Sequence, residues 1–566
     1  MTKVPQATSA EEPDGGNLQV RLRGGPGSGD RPGLLNKRTR LWVLLIALLC
    51  GVEAHGRVAP AGPTRAAAAE VLHIDARAAG SPFPHFWEHV FGSGRALLVL
   101  RADYQRDLGM MAAATGIRYV RFHGLLDDHV GLADGPAVLF YNPHDGKAAA
   151  RAPYNFSYVD QIMDALRAQG VRPYVELDFM PKSLASNLKL VQPFWYRPNV
   201  SPPRSYAAWD HMIRALAHHF IARYGIDEVS RWYFEVWNEP NLSFWGGVPK
   251  QRTYFTLYDQ TARTLKSVSA RLRVGGPATA QAAWVTAFLR HVAAVHAPID
   301  FVSTHVYGND TAEHVFGTRA HVTRRTMVCR AVRKVHREIA RSPFPHLPLI
   351  LSEFNASYSN EPDVTDTPYM GPWIATTIRQ CDGLLQAMSY WTFSDVFEEG
   401  GVIRSPFYGG FGLIAEHDIP KASFNAFALL HKLGHVRLDP HVRSALITRT
   451  HAGSLVLALW DYSPPDGRGP RYTPPPAHRS ERIFEITVQG LAPAATGLLW
   501  RVDDRHSNVL GAYDAMGRPA WPTPKQIAVL RAAGRLAPPR TVHLTAGRIE
   551  LAVPQHGLAL LLLRRN

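Results

Sequence analysis

Two glutamates stand at the ends of strand-like segments, where a side chain can face a binding site. Glu239 lies in FEVWNEPN (234–241), and because Pro240 cannot extend a β ladder, we predict that the strand stops at Glu239. Glu353 lies in LSEFNASY (351–358), near the end of another apolar run. Two converging carboxyl groups can divide acid, base and nucleophilic roles between them. A solvated glutamate at the end of a strand is the simpler alternative.

The elements that must position these residues alternate in type along the chain. Between about residues 71 and 435, strand-like runs alternate with segments of helical periodicity such as 158–170 and 254–270. This pattern predicts an α/β fold, a (β/α)8 TIM barrel, in which functional residues lie where strands run into the following loops. In chain order, the runs are PHFWEHVF, IRYVRFHG, RPYVELDF, WYFEVWNE, RVGGPA, FVSTHVYG, PLILSEFN and LLQAMSYWTFSD.

The sequence outside the predicted barrel (71–435) has a different texture. In residues 436–566, short alternating segments are separated by glycine, proline and aspartate turns, which predicts a C-terminal β-sandwich domain. Residues 71–80 contain the alternating segment VLHIDAR and precede the first barrel strand, so they are candidates for pairing with the sandwich. The Ala- and Pro-rich residues 55–70 are predicted to be a linker.

Residues 1–54 are predicted to be a leader and signal peptide. The basic NKRTR precedes the apolar LWVLLIALLC, and small residues allow cleavage after Ala54. The apolar run is too short to span a bilayer comfortably, so no stable membrane span is expected after cleavage. A lipoprotein signal at Cys50 is disfavoured because the preceding Leu49 is bulky. We therefore expect an exported protein, either periplasmic or secreted.

Composition bounds the class of protein and its partners. With 46% hydrophobic and 19% charged residues, the chain is typical of a globular protein with an ample core. The formal charge of +15 favours acidic polymers, but the basic residues form no nucleic-acid-binding module, so no nucleic-acid partner is expected. The few cysteines form no disulfide framework, and Cys329 and Cys381 are either paired after export or buried free thiols.

The barrel topology brings the two glutamates together. The fourth and seventh strands of a closed eight-stranded barrel face each other, so Glu239 and Glu353 are predicted to converge at one mouth. Hydrolysis of a glycoside requires such a pair, one group to protonate the leaving oxygen and one to attack the anomeric carbon. Asn238 can bond a sugar hydroxyl, while Trp237 and Trp245 are expected to raise the pKa of Glu239, which favours the acid/base role. Neighbours that can keep Glu353 ionised as a nucleophile are Ser352, Asn355 and Tyr358.

Other residues at or after strand ends are candidates for the same site. His123 and His305 are too scattered for a metal motif, so no metal and no organic cofactor is expected. They are either buried, hydrogen-bonded histidines or contacts for sugar hydroxyls. Trp391 is either core or a platform under a sugar ring, and Glu398 and Glu399 are either a solvated turn or further sugar contacts. The remaining strand-end residues are Glu88, His89, Asp178, Tyr307 and Asn355.

The motifs, taken in order, carry a family resemblance. FEVWNEPN, LSEFNASY, STHVYG, RFHGLLDD, YNFSYVDQIMDAL, RPYVELDFMPKSLAS, YWTFSDVFEEGG, PFYGGFGLI and FNAFALLHKLG resemble glycoside hydrolase family 39. This family includes β-xylosidases and α-L-iduronidases, and MPKSLAS, FSDVFEE and GGFGL are more similar to bacterial β-xylosidases. The resemblance implies a retaining double displacement with Glu239 as acid/base and Glu353 as nucleophile. It implies sugar contacts from Asn238, His123, His305, Tyr307, Trp391 and Glu398 or Glu399.

Three functions are compatible with these observations, each with an oligo- or polysaccharide partner. The first is an exported, retaining, β-xylosidase-like glycoside hydrolase. The second is a hydrolase of an acidic or self-made exopolysaccharide with the same two-glutamate mechanism, which the basic composition favours. The third is a non-catalytic carbohydrate-binding protein, which the presence of both glutamates disfavours.

Overall fold

A computed structural model of the chain describes residues 69–133, 154–438, 442–462 and 481–565. The predicted leader and signal peptide (1–54) and the predicted linker up to residue 68 lie outside the described residues. None of the helices within those ranges has the length and apolar character needed to cross a membrane.

The strands follow one another in two groups separated by helices. They are β1 Glu70–Asp75, β2 Ser81–Pro82, β3 Val90–Arg95, β4 Tyr119–His123, β5 Arg172–Glu176, β6 Tyr233–Glu235, β7 Arg273–Thr279, β8 Phe301–Tyr307, β9 Leu349–Asn355, β10 Ala387–Tyr390, β11 Ile414–Ala415, β12 Ile419–Pro420, β13 Val436–Leu438, β14 Ala445–Arg449, β15 Leu455–Trp460, β16 Glu481–Gln489, β17 Thr496–Val502, β18 Arg540–His543, β19 Arg548–Pro554 and β20 Leu558–Leu563.

The α-helices lie mainly between the strands of the first group. They are α1 Ala102–Ala114, α2 Ser157–Ala168, α3 Tyr206–Tyr224, α4 Ile226–Val229, α5 Lys250–Val268, α6 Val285–Val295, α7 Ala312–Phe316, α8 Arg324–Ala340, α9 Pro362–Thr365, α10 Met370–Cys381, α11 Ala422–Leu430, α12 Leu510–Ala515 and α13 Pro524–Ala533.

Helix α2 illustrates how local sequence forms these elements. Val159, Ile162, Met163 and Leu166 recur at helical spacing and are all buried. The chain leaves the helix through Gly170, whose φ of 74° lies in the left-handed region that glycine adopts without a steric penalty. The buried stripe packs the helix beside the barrel, and the turn then delivers the chain to β5.

Strands β3 to β10 form a closed parallel barrel. Consecutive strands pair in register, and β10 closes the ring by pairing with β3. This confirms the predicted (β/α)8 barrel. An apolar layer fills one level of the barrel with Val90, Tyr174, Tyr233, Phe301, Ile350 and Ala387. Because these residues lie early in their strands, the layer leaves the carboxyl ends of the strands free to form a site.

Two further sheets form the other part of the predicted fold. The larger sheet is antiparallel, with strand order β18-β17-β20-β15-β14-β13-β2, and the smaller has the order β1-β16-β19. Buried residues of both sheets, such as Leu457 and Leu561 in one and Phe484 and Leu551 in the other, share one apolar cluster. Strand β1 pairs in parallel with β16 although about 400 residues separate them. The sheets are consistent with the C-terminal sandwich, which incorporates strands from before the barrel.

Two predicted strand limits were wrong. The first run, 84–91, is mostly a turn in which Phe86 and Trp87 are buried, and β3 starts only at Val90. Glu88 and His89 therefore precede a barrel strand instead of ending one. An alternating apolar pattern reports burial, and buried turn residues satisfy it as well as strand residues do.

The fourth strand also ends earlier than predicted. Strand β6 stops at Glu235, four residues before Glu239. Trp237 and Glu239 have φ values of 69° and 40°, which are incompatible with a continuing strand. Glu239 is thus presented by the loop that follows β6, and the loop directs it over the barrel mouth.

Candidate active site

Arg121 on β4 is the centre of the site. Its fully buried guanidinium donates from Nε to Glu235 at 2.6 Å and from Nη1 to Glu353 at 2.7 Å, and Nη2 forms an ion pair with Glu176. These carboxylates come from β5, β6 and β9. Buried charges are stable only when they are paired and hydrogen-bonded, so one cation holds together carboxylates from three other strands.

Both carboxyl oxygens of Glu353 are bonded by donors from other strands, and these donors favour the charged form. Tyr307 on β8 donates its hydroxyl to Glu353 Oε2 at 2.6 Å, while Arg121 occupies Oε1. Burial raises the pKa of Glu353 above its usual value, and Arg121, His123 and the Tyr307 hydroxyl limit the rise by favouring the carboxylate. Of the sequence neighbours predicted to keep Glu353 ionised, Asn355 instead donates to the carbonyl of Trp391 at 2.5 Å, and Ser352 Oγ is buried without a hydrogen-bond partner among the described residues.

Glu239 is in a setting that favours its neutral form. It is 8% exposed, and burial followed by the charges of Glu353 and Asp310 raises its pKa well above the ordinary range. Its Oε1 lies 2.9 Å from His305 Nδ1. The predicted cause, flanking tryptophans, is therefore only part of the account, because the other glutamate contributes directly.

The protonation of His305 can be deduced from its two neighbours. Burial and the nearby Arg121 lower the pKa of His305 well below its usual value, so the ring is neutral. Arg121 Nη2 lies 3.3 Å from His305 Nε2 and can only donate, so Nε2 is the acceptor. The proton is therefore on Nδ1, which donates to Glu239.

The two glutamates face each other closely. One carboxylate oxygen of Glu239 and one of Glu353 lie within 4.8 Å of each other, with a nitrogen of His305 within the same distance of both. His305 Nδ1 is also 3.5 Å from Glu353 Oε1. The site thus holds a carboxyl group that resists ionisation beside a carboxylate that is stabilised, which is the combination needed for acid and nucleophilic roles.

His123, Trp391 and Glu399 form one wall of the mouth. His123 Nδ1 is 2.7 Å from Glu176, its Nε2 is 3.6 Å from Glu399 Oε1, and its ring centroid is 4.6 Å from that of Trp391. Burial and the charge of Glu353 raise the pKa of Glu399 to about 8, although His123 opposes the shift. This wall offers an aromatic face and polar atoms side by side, as sugar binding requires.

The other predicted sugar contacts, Asn238 and Glu398, differ in how many of their polar atoms already have hydrogen-bond partners. Asn238 accepts at Oδ1 from Arg121 Nη2 at 3.0 Å, and its amide NH2 meets no acceptor among the described residues. Glu398 is instead bonded by Arg95 at 2.6 Å and by Arg101 at 3.1 Å. Of the two acidic residues after β10, Glu399 is therefore the one beside His123.

Sequence reasoning missed four charged residues of the site. Arg121, Glu176 and Glu235 are fully buried, and Asp310 is 8% exposed and accepts from the Tyr307 amide at 2.8 Å. The sequence carried a signal for the first three, because each is a charged residue in an otherwise largely apolar barrel strand: Arg121 lies inside β4, and Glu176 and Glu235 are the last residues of β5 and β6. A charged residue there points to the barrel interior when its strand neighbours are apolar.

Two groups of side chains here have donor atoms close enough for a metal ion. They are Glu239 with His305 and Glu353, and His123 with Glu176 and Asp178. In both groups a carboxylate is already bonded by the Arg121 guanidinium. The fixed guanidinium of Arg121 thus supplies positive charge to a carboxylate in each group.

Comparison with known proteins identifies the family. The model of glycosyl hydrolases family 39 matches residues 70–544. The chain belongs to this family. A β-xylosidase from Geobacillus stearothermophilus is 36% identical over 483 residues, covering 83% of this chain and 90% of that protein. A monomeric β-xylosidase from Caulobacter crescentus CB15 superimposes with a TM-score of 0.78 at 33% identity, covering 88% of this chain and all of that one.

The similarity to the human α-L-iduronidase covers a smaller part of the chain than the similarity to the β-xylosidases. The human α-L-iduronidase is 29% identical over 242 residues, which is 41% of this chain and 32% of that protein. This confirms the resemblance inferred from the motifs, which favoured bacterial β-xylosidases. The chain is a glycosyl hydrolase with a β-xylosidase-like sequence.

Proposed function

We propose that the protein is an exported, retaining β-xylosidase in which Glu353 is the nucleophile and Glu239 the acid/base. The observation that carries the proposal is the approach of the two carboxyl groups, whose oxygens lie within 4.8 Å. Retaining glycosidases hold their carboxyl groups about 5–5.5 Å apart, whereas inverting enzymes separate them by about 6.5–9.5 Å to admit a water molecule. The short separation favours attack by a carboxylate over attack by water.

In the first step, Glu353 attacks the anomeric carbon while Glu239 protonates the leaving oxygen. The glycosidic bond breaks and an ester forms between the sugar and Glu353. Arg121 and Tyr307 stabilise the carboxylate before attack and keep it aimed at the sugar. His305 holds Glu239 through a neutral hydrogen bond, which orients the acid without removing its proton.

In the second step, Glu239 acts as the base. It takes a proton from a water molecule that attacks the anomeric carbon, and the ester bond to Glu353 breaks. As Glu353 regains its charge, Arg121 and Tyr307 again stabilise it. Two inversions at one carbon return the original β configuration.

Two observations support an uncharged sugar as the substrate: the activity of the relatives and the pairing of the arginines beside the mouth. Two curated relatives that are 36% identical and matched over 90% and 88% of their own length are β-xylosidases. Arg95 and Arg101, two basic residues beside the mouth, are both bonded to Glu398, and Arg101 also pairs with Asp103. These cations are therefore already neutralised, and the overall charge of +15 does not extend to them as free positive groups.

A disulfide supports export. Cys329 on α8 and Cys381 at the end of α10 are bonded, with Cα atoms 5.3 Å apart, and both are buried. Structural disulfides persist mainly in oxidising compartments, outside the cytosol. The bond agrees with the signal peptide expected from residues 1–54.

The test is hydrolysis of a panel of aryl glycosides by the wild-type chain and two variants. We expect turnover of aryl β-xyloside and little turnover of aryl uronides. Glu239→Gln should lose about 10²–10⁴-fold on a substrate with a poor leaving group and much less on an activated one. Glu228→Gln is the matched control, because Glu228 bonds Arg172 at the start of β5, far from the mouth along the strand. A preference for uronides would favour an acidic polysaccharide instead, and binding without turnover would favour a carbohydrate-binding protein.

A further inference from the structure

A second cluster of titratable side chains lies away from the mouth, before the first barrel strand. His85 and Glu88 precede β3, and His431 directly follows α11. His85 Nδ1 is 2.8 Å from Glu88 Oε1, and His431 Nδ1 is 3.0 and 2.9 Å from the two oxygens of Glu88. Two imidazoles thus converge on one carboxylate from segments 343 positions apart in the sequence.

We propose that His85, Glu88 and His431 bind a divalent transition-metal ion, Zn²⁺ by the choice of donors. Two histidines and one glutamate are a ligand set that zinc uses in tetrahedral sites with water in the fourth position. One donor atom from each residue lies within 4.8 Å of the others. Zinc bonds of about 2.0–2.1 Å in tetrahedral geometry place ligand atoms about 3.3 Å apart, so the two glutamate–histidine contacts need to open by a few tenths of an ångström, and the two histidine donor atoms lie within 4.8 Å of each other.

The cluster has features that a simple ion pair does not need. His85 is 4% exposed, and within the described ranges no group bonds its Nε2, so a polar ring is buried with one nitrogen unsatisfied. Both oxygens of Glu88 lie within hydrogen-bonding distance of an imidazole nitrogen, and such neighbours favour the carboxylate form that binds metal.

The surroundings provide a route for an ion. The side chain of His431 is 44% exposed, so the cluster reaches solvent on that side. The ring of His435 lies tilted beside that of His85 with centroids 4.7 Å apart, and the ring of His451 lies tilted beside that of His435 at 5.0 Å. Further imidazoles thus extend from the buried His85 towards the surface and offer temporary ligands.

The site would clip the entry to the first barrel strand to the end of the last barrel helix, beside the junction with the adjoining sheet. Phe83 N donates to the carbonyl of His435 at 2.8 Å, and β2 pairs with β13. A metal at His85, Glu88 and His431 would add a bond at this same junction, between the entry to the first barrel strand and the end of the last barrel helix. A ligand that binds only the folded chain stabilises it, so zinc should raise the melting temperature.

The experiment measures zinc bound to the full chain after chelator treatment and dialysis against ZnCl2, for wild type and variants. We expect the wild type and His73→Ala, which removes an exposed histidine on β1, to bind one equivalent more than His431→Ala or Glu88→Gln. Zinc should raise the melting temperature of the wild type but not of His431→Ala. Should Glu88→Gln fail to fold, the half-exposed His431 still decides the question.

A crystal soaked in zinc locates the ion by anomalous scattering. A peak between His85, Glu88 and His431 is expected, and a peak only at Glu239, His305 and Glu353 would overturn the proposal. Equal zinc content in wild type and His431→Ala would also overturn it. Because the cluster is separate from the glutamate pair, β-xyloside hydrolysis should survive chelation, so failure of this proposal and failure of the proposed function are distinguishable.

Discussion

Removing the hydroxyl of Tyr307 tests whether Glu353 is the nucleophile. It donates to Glu353 Oε2 at 2.6 Å, and Tyr307→Phe removes this bond while preserving the ring. A hydrogen bond to a charged group contributes about 1.5–3 kcal/mol, and one pKa unit corresponds to about 1.36 kcal/mol. Loss of the bond should therefore raise the pKa of Glu353 by about one to two units.

The sign of the effect on activity follows from the role of Glu353. The nucleophile must be ionised, so activity is lost as the pH falls through its pKa. A higher pKa moves the acidic limb of kcat/KM for aryl β-xyloside to higher pH. At a fixed pH on that limb, a one-unit shift lowers the rate about tenfold.

The matched control is Tyr254→Phe. Tyr254 is also fully buried, and its hydroxyl donates to the carbonyl of Val236 at 2.9 Å without touching either glutamate. Its acidic limb should coincide with that of the wild type. If Tyr307→Phe also left the limb in place, Glu353 would not be the group whose ionisation controls the reaction.

Three further predictions follow from other buried groups. Burial raises the pKa of Asp310 to about 7, and its charge raises the pKa of Glu239, so Asp310→Asn should move the basic limb of kcat/KM to lower pH, by up to about one unit; an unmoved limb would contradict this coupling. Arg121→Met leaves buried carboxylates without their cation and should lower the free energy of unfolding by about 3–5 kcal/mol in urea denaturation, whereas wild-type stability would refute the central role of that residue. Replacing both Cys329 and Cys381 by serine opens a loop of 52 positions, and the chain-entropy model gives a loss of about 4 kcal/mol, to be checked by urea denaturation beside the reduced wild type.

The sequence was enough to predict that the two glutamates lie at one mouth, because the topology of a parallel barrel fixes where strand ends are found. All parallel strands end on the same side, so any residue at a strand end approaches the others. Glu239 and Glu353 could be assigned to one mouth without knowledge of side-chain contacts. The loop conformation that presents Glu239, with its positive φ, could not be read because Pro240 shows only that a strand ends.

Contacts between distant segments were beyond the reach of local patterns. Arg121 bonds carboxylates from three other strands, and nothing in RFHG indicates which acidic residues it meets. The apolar pattern around Glu88 predicts a strand, because buried residues of a turn give the same pattern. His431 lies 343 positions further on, so its contact with Glu88 depends on how the barrel closes against the adjoining sheet.

The anomeric configuration of the first product decides whether Glu353 is the nucleophile. Proton NMR during hydrolysis of aryl β-xyloside, run beside Glu353→Ala, distinguishes the two stereochemical outcomes. Two carboxylate oxygens within 4.8 Å predict that β-xylose appears first and that the variant releases none above background. Initial α-xylose from the wild type would show direct attack by water and would contradict the assignment of Glu353 as nucleophile.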